Sequence, residues 1–344
     1  MNPVAIRLLN QQLICQQFAT PAQVVDHMGA IQAQEYRMMR WAVEMRTVNP
    51  SREAFKKAFD SGQIVRLHLM RGTWQLVSAA DYYPLLKLCG SKALSVIKGW
   101  MSSNRISIPE HEVAKIRPIL VRAAEKSGSA TKEDFVQALS EKDISMDEHR
   151  LSYHIRLAEL DGVLCSGELL PMKASYALSE SKIPFDPWIS REEALLLITR
   201  KYFRSRQPAT LEDFVWWSGL NLNDCRRGIQ MAGDYLHAEQ WAGRTFYLTD
   251  DVRTRGFRRG NYLLIPPYDE YLIAYKSRDV VLPGDFSHKA HNNMGTFKPV
   301  IALDGQICGN WSPFSNNHQA SFFTGEHDSG VQTEWARYQR FLSR

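Results

Sequence analysis

One short phrase occurs three times in this chain of 344 residues, and it constrains the fold more than any other feature. Ala19-Thr20-Pro21-Ala22-Gln23-Val24-Val25 returns as Ala130-Thr131-Lys132-Glu133-Asp134-Phe135-Val136 and again as Ala209-Thr210-Leu211-Glu212-Asp213-Phe214-Val215. Each copy reads as a helix start. A threonine hydroxyl at the N-cap accepts a bond from an orphan backbone N–H of the first turn, and the polar residue three positions on (Gln23, Asp134, Asp213) can bond back. An apolar pair then follows, where the new helix meets a core. A start used three times predicts three copies of one small module.

What surrounds each copy says which module. After Thr20 the pattern predicts a short helix to about Gly29, a second over Glu35–Arg46 and a third from Ser51 to Gly62. Two β-rich runs follow, Ile64–Met70 and Thr73–Val77, around the Arg71-Gly72 turn. Helix, helix, hairpin is the winged-helix plan. The second copy adds a helix over Met146–Leu160 and a wing from Val163 to Leu178. The third is preceded by a capping box from Ser190 to Glu193, and its wing runs from His237 to Leu248 around Gly243. Asp81–Gly128 reads as helical packing with Pro118 a kink. Beyond residue 253 come β-like runs at Tyr262–Ile265, Tyr271–Tyr275, Pro299–Leu303 and Gln306–Gly309, with Asp304-Gly305 a hairpin turn and Gly330–Leu342 a closing helix. The expected class is therefore α+β: three tandem winged-helix modules (1–128, 129–188, 189–252), then a small C-terminal β-barrel with its closing helix (253–344).

Composition narrows the function classes. Hydrophobic residues at 44% and aromatics at 11% supply packed cores, and the length predicts two or three domains. The net charge is only +5, yet Arg253, Arg255, Arg258 and Arg259 fall within seven positions. Local basic surface matters more for nucleic-acid binding than total charge. The five cysteines are scattered, with no C-x-x-C, which predicts reduced thiols rather than a disulfide frame or zinc site. His288-x-x-His291 lies in a Gly- and Asn-rich loop without a third ligand, so no metal is expected. No basic start precedes an apolar run, and none reaches the ~18 residues a span needs. A soluble cytoplasmic protein without membrane contact is the expectation. No Gly-rich phosphate loop and no Gly-x-Ser-x-Gly elbow is present, leaving nucleotide hydrolysis and serine chemistry without support.

Gln32-Ala33-Gln34 joins the first two helices and is followed by Glu35-Tyr36-Arg37. It resembles the Gln-apolar-Gln motif of the AlkZ-like DNA glycosylases, a tandem winged-helix family. The resemblance extends, in family order, to Arg37-Met38-Met39-Arg40-Trp41-Ala42, Met70-Arg71-Gly72-Thr73-Trp74, Pro267-Tyr268-Asp269-Glu270-Tyr271-Leu272, and Phe297-Lys298-Pro299-Val300 with Asp304-Gly305. Two positions depart from the family pattern: Gln75, where histidine is frequent, and Glu35, where aspartate is. The resemblance implies a C-shaped molecule with a basic channel, removal of alkylated purines including crosslinked ones, and Gln32 and Gln34 as the catalytic pair.

The chemistry suits those residues. An N7-alkylpurine already carries positive charge, so the leaving base needs little protonation. What remains is to place a water and stabilise developing charge on the sugar. A glutamine is no base near neutral pH, but its carbonyl accepts a water proton and its NH2 donates. Two of them at i and i+2 point the same way on an extended chain. No lysine lies near the motif to form a Schiff base, which predicts a monofunctional, cofactor-free enzyme. The expected partner is double-stranded DNA with alkylated bases, bound by a monomer through Arg37, Arg40, Arg71, Arg253, Arg255, Arg258 and Arg259. Asp269 and Glu270 read as structural, an ion-pair partner for Arg71, with a channel wall the alternative, and Trp216-Trp217 as core. Two readings remain beside the enzyme: a non-enzymatic winged-helix DNA-binding protein such as a regulator, and a winged-helix scaffold for protein contacts.

Overall fold

All three threonine-led helices form: Pro21–Met28, Lys132–Ser140 and Leu211–Ser218. Thr20, Thr131 and Thr210 accept the N–H of Gln23, Asp134 and Asp213 at 3.3, 3.3 and 3.1 Å. The return bonds, from each threonine N–H to the Gln23, Asp134 and Asp213 side chains, measure 3.1, 2.7 and 3.0 Å. In this computed structural model, residues 2–184, 189–314, 319–325 and 330–343 are described, and the fold is mixed α and β. The chain divides into two compact units, one of Met1–Phe55 with Leu195–Arg344 and one of Lys56–Ala194.

In the first unit, the Pro21–Met28 helix stops at Gly29, whose φ of 70° suits glycine. A Cβ there would come within 3.2 Å of the Ile198 and Lys201 side chains, so the chain turns tightly against the Arg191–Arg206 helix. It then runs extended through Ile31–Gln32. The next helix is Met39–Glu44, shorter than the expected Glu35–Arg46. The Glu35 carbonyl accepts both Met38 and Met39 N–H, and this turn delays the helix. Leu211–Ser218 and Leu222–Ala232 precede a hairpin of Leu236–Trp241 and Arg244–Thr249, whose Ala242 and Gly243 both have positive φ.

The C-terminal strands correct the barrel expectation. Among the described residues they form an open four-stranded antiparallel sheet, ordered Ala320–Phe322, Gln306–Trp311, Val300–Leu303, Tyr262–Ile265. Its edges stay unjoined, because no further described strand pairs with Ala320–Phe322 or Tyr262–Ile265. The Asp304-Gly305 turn joins the central pair as expected, both residues at positive φ. Tyr271–Tyr275 is not a strand. Glu270–Ile273 is a short helix, started because the Asp269 carboxylate accepts the Tyr271 N–H at 2.8 Å. The Gly330–Ser343 helix closes over this sheet, and Trp335, Tyr338 and Phe341 pack with Trp41, Trp311 and Leu264 in one core.

The second unit contains the Ile64–Leu69 and Thr73–Ser78 hairpin, with Met70 and Gly72 at positive φ in its turn. Helices Ala79–Ser103 and Glu110–Ser127 follow, with Pro84 and Pro118 inside them. Lys132–Ser140 and Glu148–Leu160 then pack on a three-stranded sheet ordered Ala130–Thr131, Ser175–Leu178, Leu164–Ser166. The second copy of the repeated phrase thus doubles as an edge strand. Ile116, Leu120, Phe135, Leu151, Ile155 and Leu164 form its core. Beside the hairpin, His68 Nδ1 lies 2.6 Å from a fully buried Glu159 carboxyl oxygen, and the Arg66 guanidinium stacks 3.7 Å over Trp74.

Candidate active site and nucleic-acid contacts

The Gln32-Ala33-Gln34 segment leaves Gly29 in extended form, and its two glutamines are unequal. Gln32 is 5% exposed and Ala33 1%, whereas Gln34 is exposed. Alternation along an extended backbone does not produce this contrast, since Gln32 and Gln34 share a side. Chain position does: Gln32 lies in the core behind the Gly29 turn, and Gln34 has emerged from it. Of the expected pair, one member is open and one enclosed.

The backbone beneath the pair is held by a buried polar network. Gln32 N–H donates to Glu270 Oε1 at 2.9 Å. Glu270 Oε2 accepts from Arg206 Nε at 3.0 Å and Nη2 at 2.6 Å, and from Trp217 Nε1 at 2.9 Å. The Arg206 guanidinium also donates to the Met28 and Ala30 carbonyls at 2.7 and 2.6 Å. Both charged side chains are 0% exposed. Three backbone groups among residues 28–32 therefore end on one ion pair. His27, just upstream, has its Nε2 2.7 Å from the Asn10 carbonyl, and burial pushes its pKa down to about 4. It stays neutral and donates that bond.

Asp269 makes a second pair. Its two oxygens accept from Arg46 Nη2 and Nη1, each at 2.8 Å, and both side chains are fully buried. The Asp269-Glu270 doublet is structural, as expected, with Arg46 and Arg206 as arginine partners. Sequence reasoning missed both arginines. The available signal was two adjacent acids among apolar residues, which need cations if buried. Trp217 is core as expected, and Trp216 is 40% exposed with its indole N–H on the Ile273 carbonyl.

The arginines divide. Arg255, Arg258 and Arg259 are exposed. Arg253 is half-buried, and its guanidinium donates to the Leu9 and Cys15 carbonyls at 2.8 Å each, so it ties the segment to the N-terminal helix Pro3–Asn10 and the turn after it. Arg37 is exposed, 3.4 Å from Glu35 and stacked 3.6 Å over Phe314. Arg40 is 8% exposed, and burial lowers its pKa. Arg71 is half-buried at the hairpin turn of the second unit. Among the described residues, no cluster of three His, Cys, Asp or Glu side chains is placed to hold a metal. Among the described residues, no helix is long and apolar enough to cross a membrane.

A buried clamp under a Gln-apolar-Gln segment, with an arginine-rich loop in the same unit, invites comparison with enzymes that act on DNA bases. The family model described as "DNA glycosylase AlkZ-like" matches residues 25–339. The chain is 26% identical over 313 residues to the interstrand DNA cross-link repair glycosylase of Streptomyces sahachiroi, covering 84% of this chain and 81% of that protein. It is also similar in fold to the solved structure of Streptomyces sahachiroi DNA glycosylase AlkZ, with a TM-score of 0.78 at 21% identity, over 99% of this chain and 96% of that one. The chain belongs to the AlkZ-like family of DNA glycosylases.

Proposed function

We propose that this enzyme excises N3- and N7-alkylated purines from duplex DNA by hydrolysing the N-glycosidic bond, with Gln34 and Gln32 positioning the water. The observation that carries the reading is the exposed Gln34 on a segment whose backbone is pinned from below by Glu270 and Arg206. Gln34 is the member open to substrate, so it is assigned the water directly, and Gln32 is the enclosed member of the pair. A cationic base leaves without a general acid, and positioning alone contributes several kcal/mol. The neutral pair also avoids binding the cationic lesion tightly before reaction. Interstrand crosslinks are a further candidate substrate, because the Streptomyces sahachiroi relative is named for their repair.

The same reading takes each repeated helix, with the helix and hairpin after it, as a winged-helix module within segments 1–128, 129–188 and 189–252, and takes 253–344 as the C-terminal segment. The boundaries of the compact units fall inside the first and the third of these. The enzyme acts as a cytoplasmic monomer. Arg255, Arg258, Arg259 and Arg37 are assigned to phosphates, while Arg253 and Arg40 support the fold around them.

Single-turnover excision from duplexes carrying N7-methylguanine tests the chemistry. Gln34→Ala slows the rate at least tenfold and leaves DNA affinity nearly intact, because the interaction is needed mainly in the transition state. A wild-type rate in both Gln34→Ala and Gln32→Ala removes the pair from the mechanism, and no excision of any N3- or N7-alkylpurine by the parent removes the substrate. Arg258→Ala with Arg259→Ala weakens binding to any duplex and flattens its salt dependence by roughly two counterions. An unchanged slope sinks the phosphate assignment.

A further inference from the structure

We propose that Glu270 and Arg206 are positioning residues for excision, setting the register of the Gln32-Ala33-Gln34 segment from within the core. The inference rests on the assignment of the glutamine pair, and adds to it the device that fixes where the pair stands. An extended segment at a helix exit has little intrinsic stiffness. Here the Met28 and Ala30 carbonyls and the Gln32 N–H are all bound, at 2.7, 2.6 and 2.9 Å, by two side chains that are themselves locked together. Those three groups span the peptide units that decide where the chain emerges. Gly29 adds to the constraint, because a Cβ there would come within 3.2 Å of Ile198 and Lys201 on the Arg191–Arg206 helix that carries Arg206.

The partner chemistry explains why an ion pair serves here. Arg206 presents a planar fork and uses it in two directions, toward Glu270 and toward the carbonyls. Glu270 presents two oxygens and divides them likewise, one to Gln32 N–H and one to Arg206 and Trp217. Trp217 adds its ring face, with the guanidinium carbon 4.4 Å from the centroid. Neither acid nor base faces solvent, so neither is placed to meet substrate. Their effect on catalysis passes through Gln34.

Three substitutions grade the disturbance. Glu270→Gln keeps the shape but sets an amide NH2 against existing donors. Arg206→Lys keeps the charge but loses the fork. Trp217→Phe keeps the ring and removes one donor to Glu270, and it is the variant that retains the fold if the others do not. Each is measured for single-turnover excision, duplex affinity and thermal midpoint, alone and combined with Gln34→Ala. The expected result is an excision rate reduced about tenfold or more in Glu270→Gln and Arg206→Lys, and less in Trp217→Phe, with affinity retained. On the Gln34→Ala background the same substitutions cost little further, because the group they position is gone. Full multiplicative loss on that background, or wild-type rates in folded variants while Gln34→Ala is slow, overturns the inference. A wild-type rate in Gln34→Ala is a different result: it overturns the glutamine assignment beneath it.

Discussion

Asp269 and Glu270 of the first unit and Glu159 of the second are buried in opposite ways. In the first, Asp269 and Glu270 are each gripped by a fully buried arginine. In the second, Glu159 is equally enclosed but its hydrogen-bond partner is His68, and its other oxygen has no hydrogen-bond partner. Burial pushes Glu159 up to about 8, with the charges of Arg66 and Arg156 pulling the other way, and burial lowers His68. At neutral pH that pair is mostly an uncharged acid beside an uncharged imidazole. The difference teaches that burial alone does not decide what a carboxyl group is for. An always-charged planar partner makes it a clamp, and a titratable partner makes it responsive to pH.

Arg46→Ala is the largest break in this comparison. It leaves Asp269 as an uncompensated buried charge and strips five backbone and side-chain bonds at once, which costs about 3–5 kcal/mol. Chemical denaturation reads it as a collapse of the midpoint, and a loss under about 1 kcal/mol would show the pair to be ornamental.

Glu159 yields the next effect. Its folded pKa lies above its unfolded value, so its stabilisation is full below about 4.5 and is lost as pH rises through about 8. His68, lowered in the fold, contributes the opposite slope only below its ordinary 6.5. Between about 6.5 and 8 the glutamate is the member of this pair that still titrates, and its contribution to stability falls with rising pH by up to ~1.4 kcal/mol per unit. Glu159→Gln flattens that segment of the melting-temperature profile. A profile identical to the parent's would place the titration elsewhere.

The smallest effect concerns what the units share. Thr20→Ala in the first and Thr131→Ala in the second remove the same capping box, and each costs about 1 kcal/mol. Equal losses in thermal melts mark the repeat as one local solution used in both settings. A cost confined to one unit would mean that tertiary context, not the cap, carries that helix.

The fold was legible wherever a local signal decided it. Capping boxes, the Asp304-Gly305 turn and the long amphipathic helices lie where their residues predict. Tyr271–Tyr275 misled because β-prone residues followed an aspartate whose capping role depends on where its carboxylate is held, and Arg46 holds it. Within the candidate site, the sequence carried the glutamines but not their unequal burial. The Gly29 turn just upstream packs closely on a helix over 160 residues away in the chain, which no local signal shows. The two clamping arginines were invisible for the same reason: nothing near Arg206 in sequence shows which carbonyls it will meet. Arg253 looked like its neighbours until its guanidinium proved to be spent on the backbone of residues 9 and 15.

The bond from Gln32 to Glu270 spans 238 positions. On a ribosome adding about 5–20 residues per second, the segment that will hold the glutamines waits roughly 10–50 s for its anchor to be made. During that interval the whole of Lys56–Ala194 has emerged and can fold, whereas the first unit cannot be completed. The seat of the glutamine segment is therefore completed only after residue 270 has been made. A nascent chain stalled before residue 270 would carry every repeat of the capping phrase and still lack the anchor of the Gln32-Ala33-Gln34 segment.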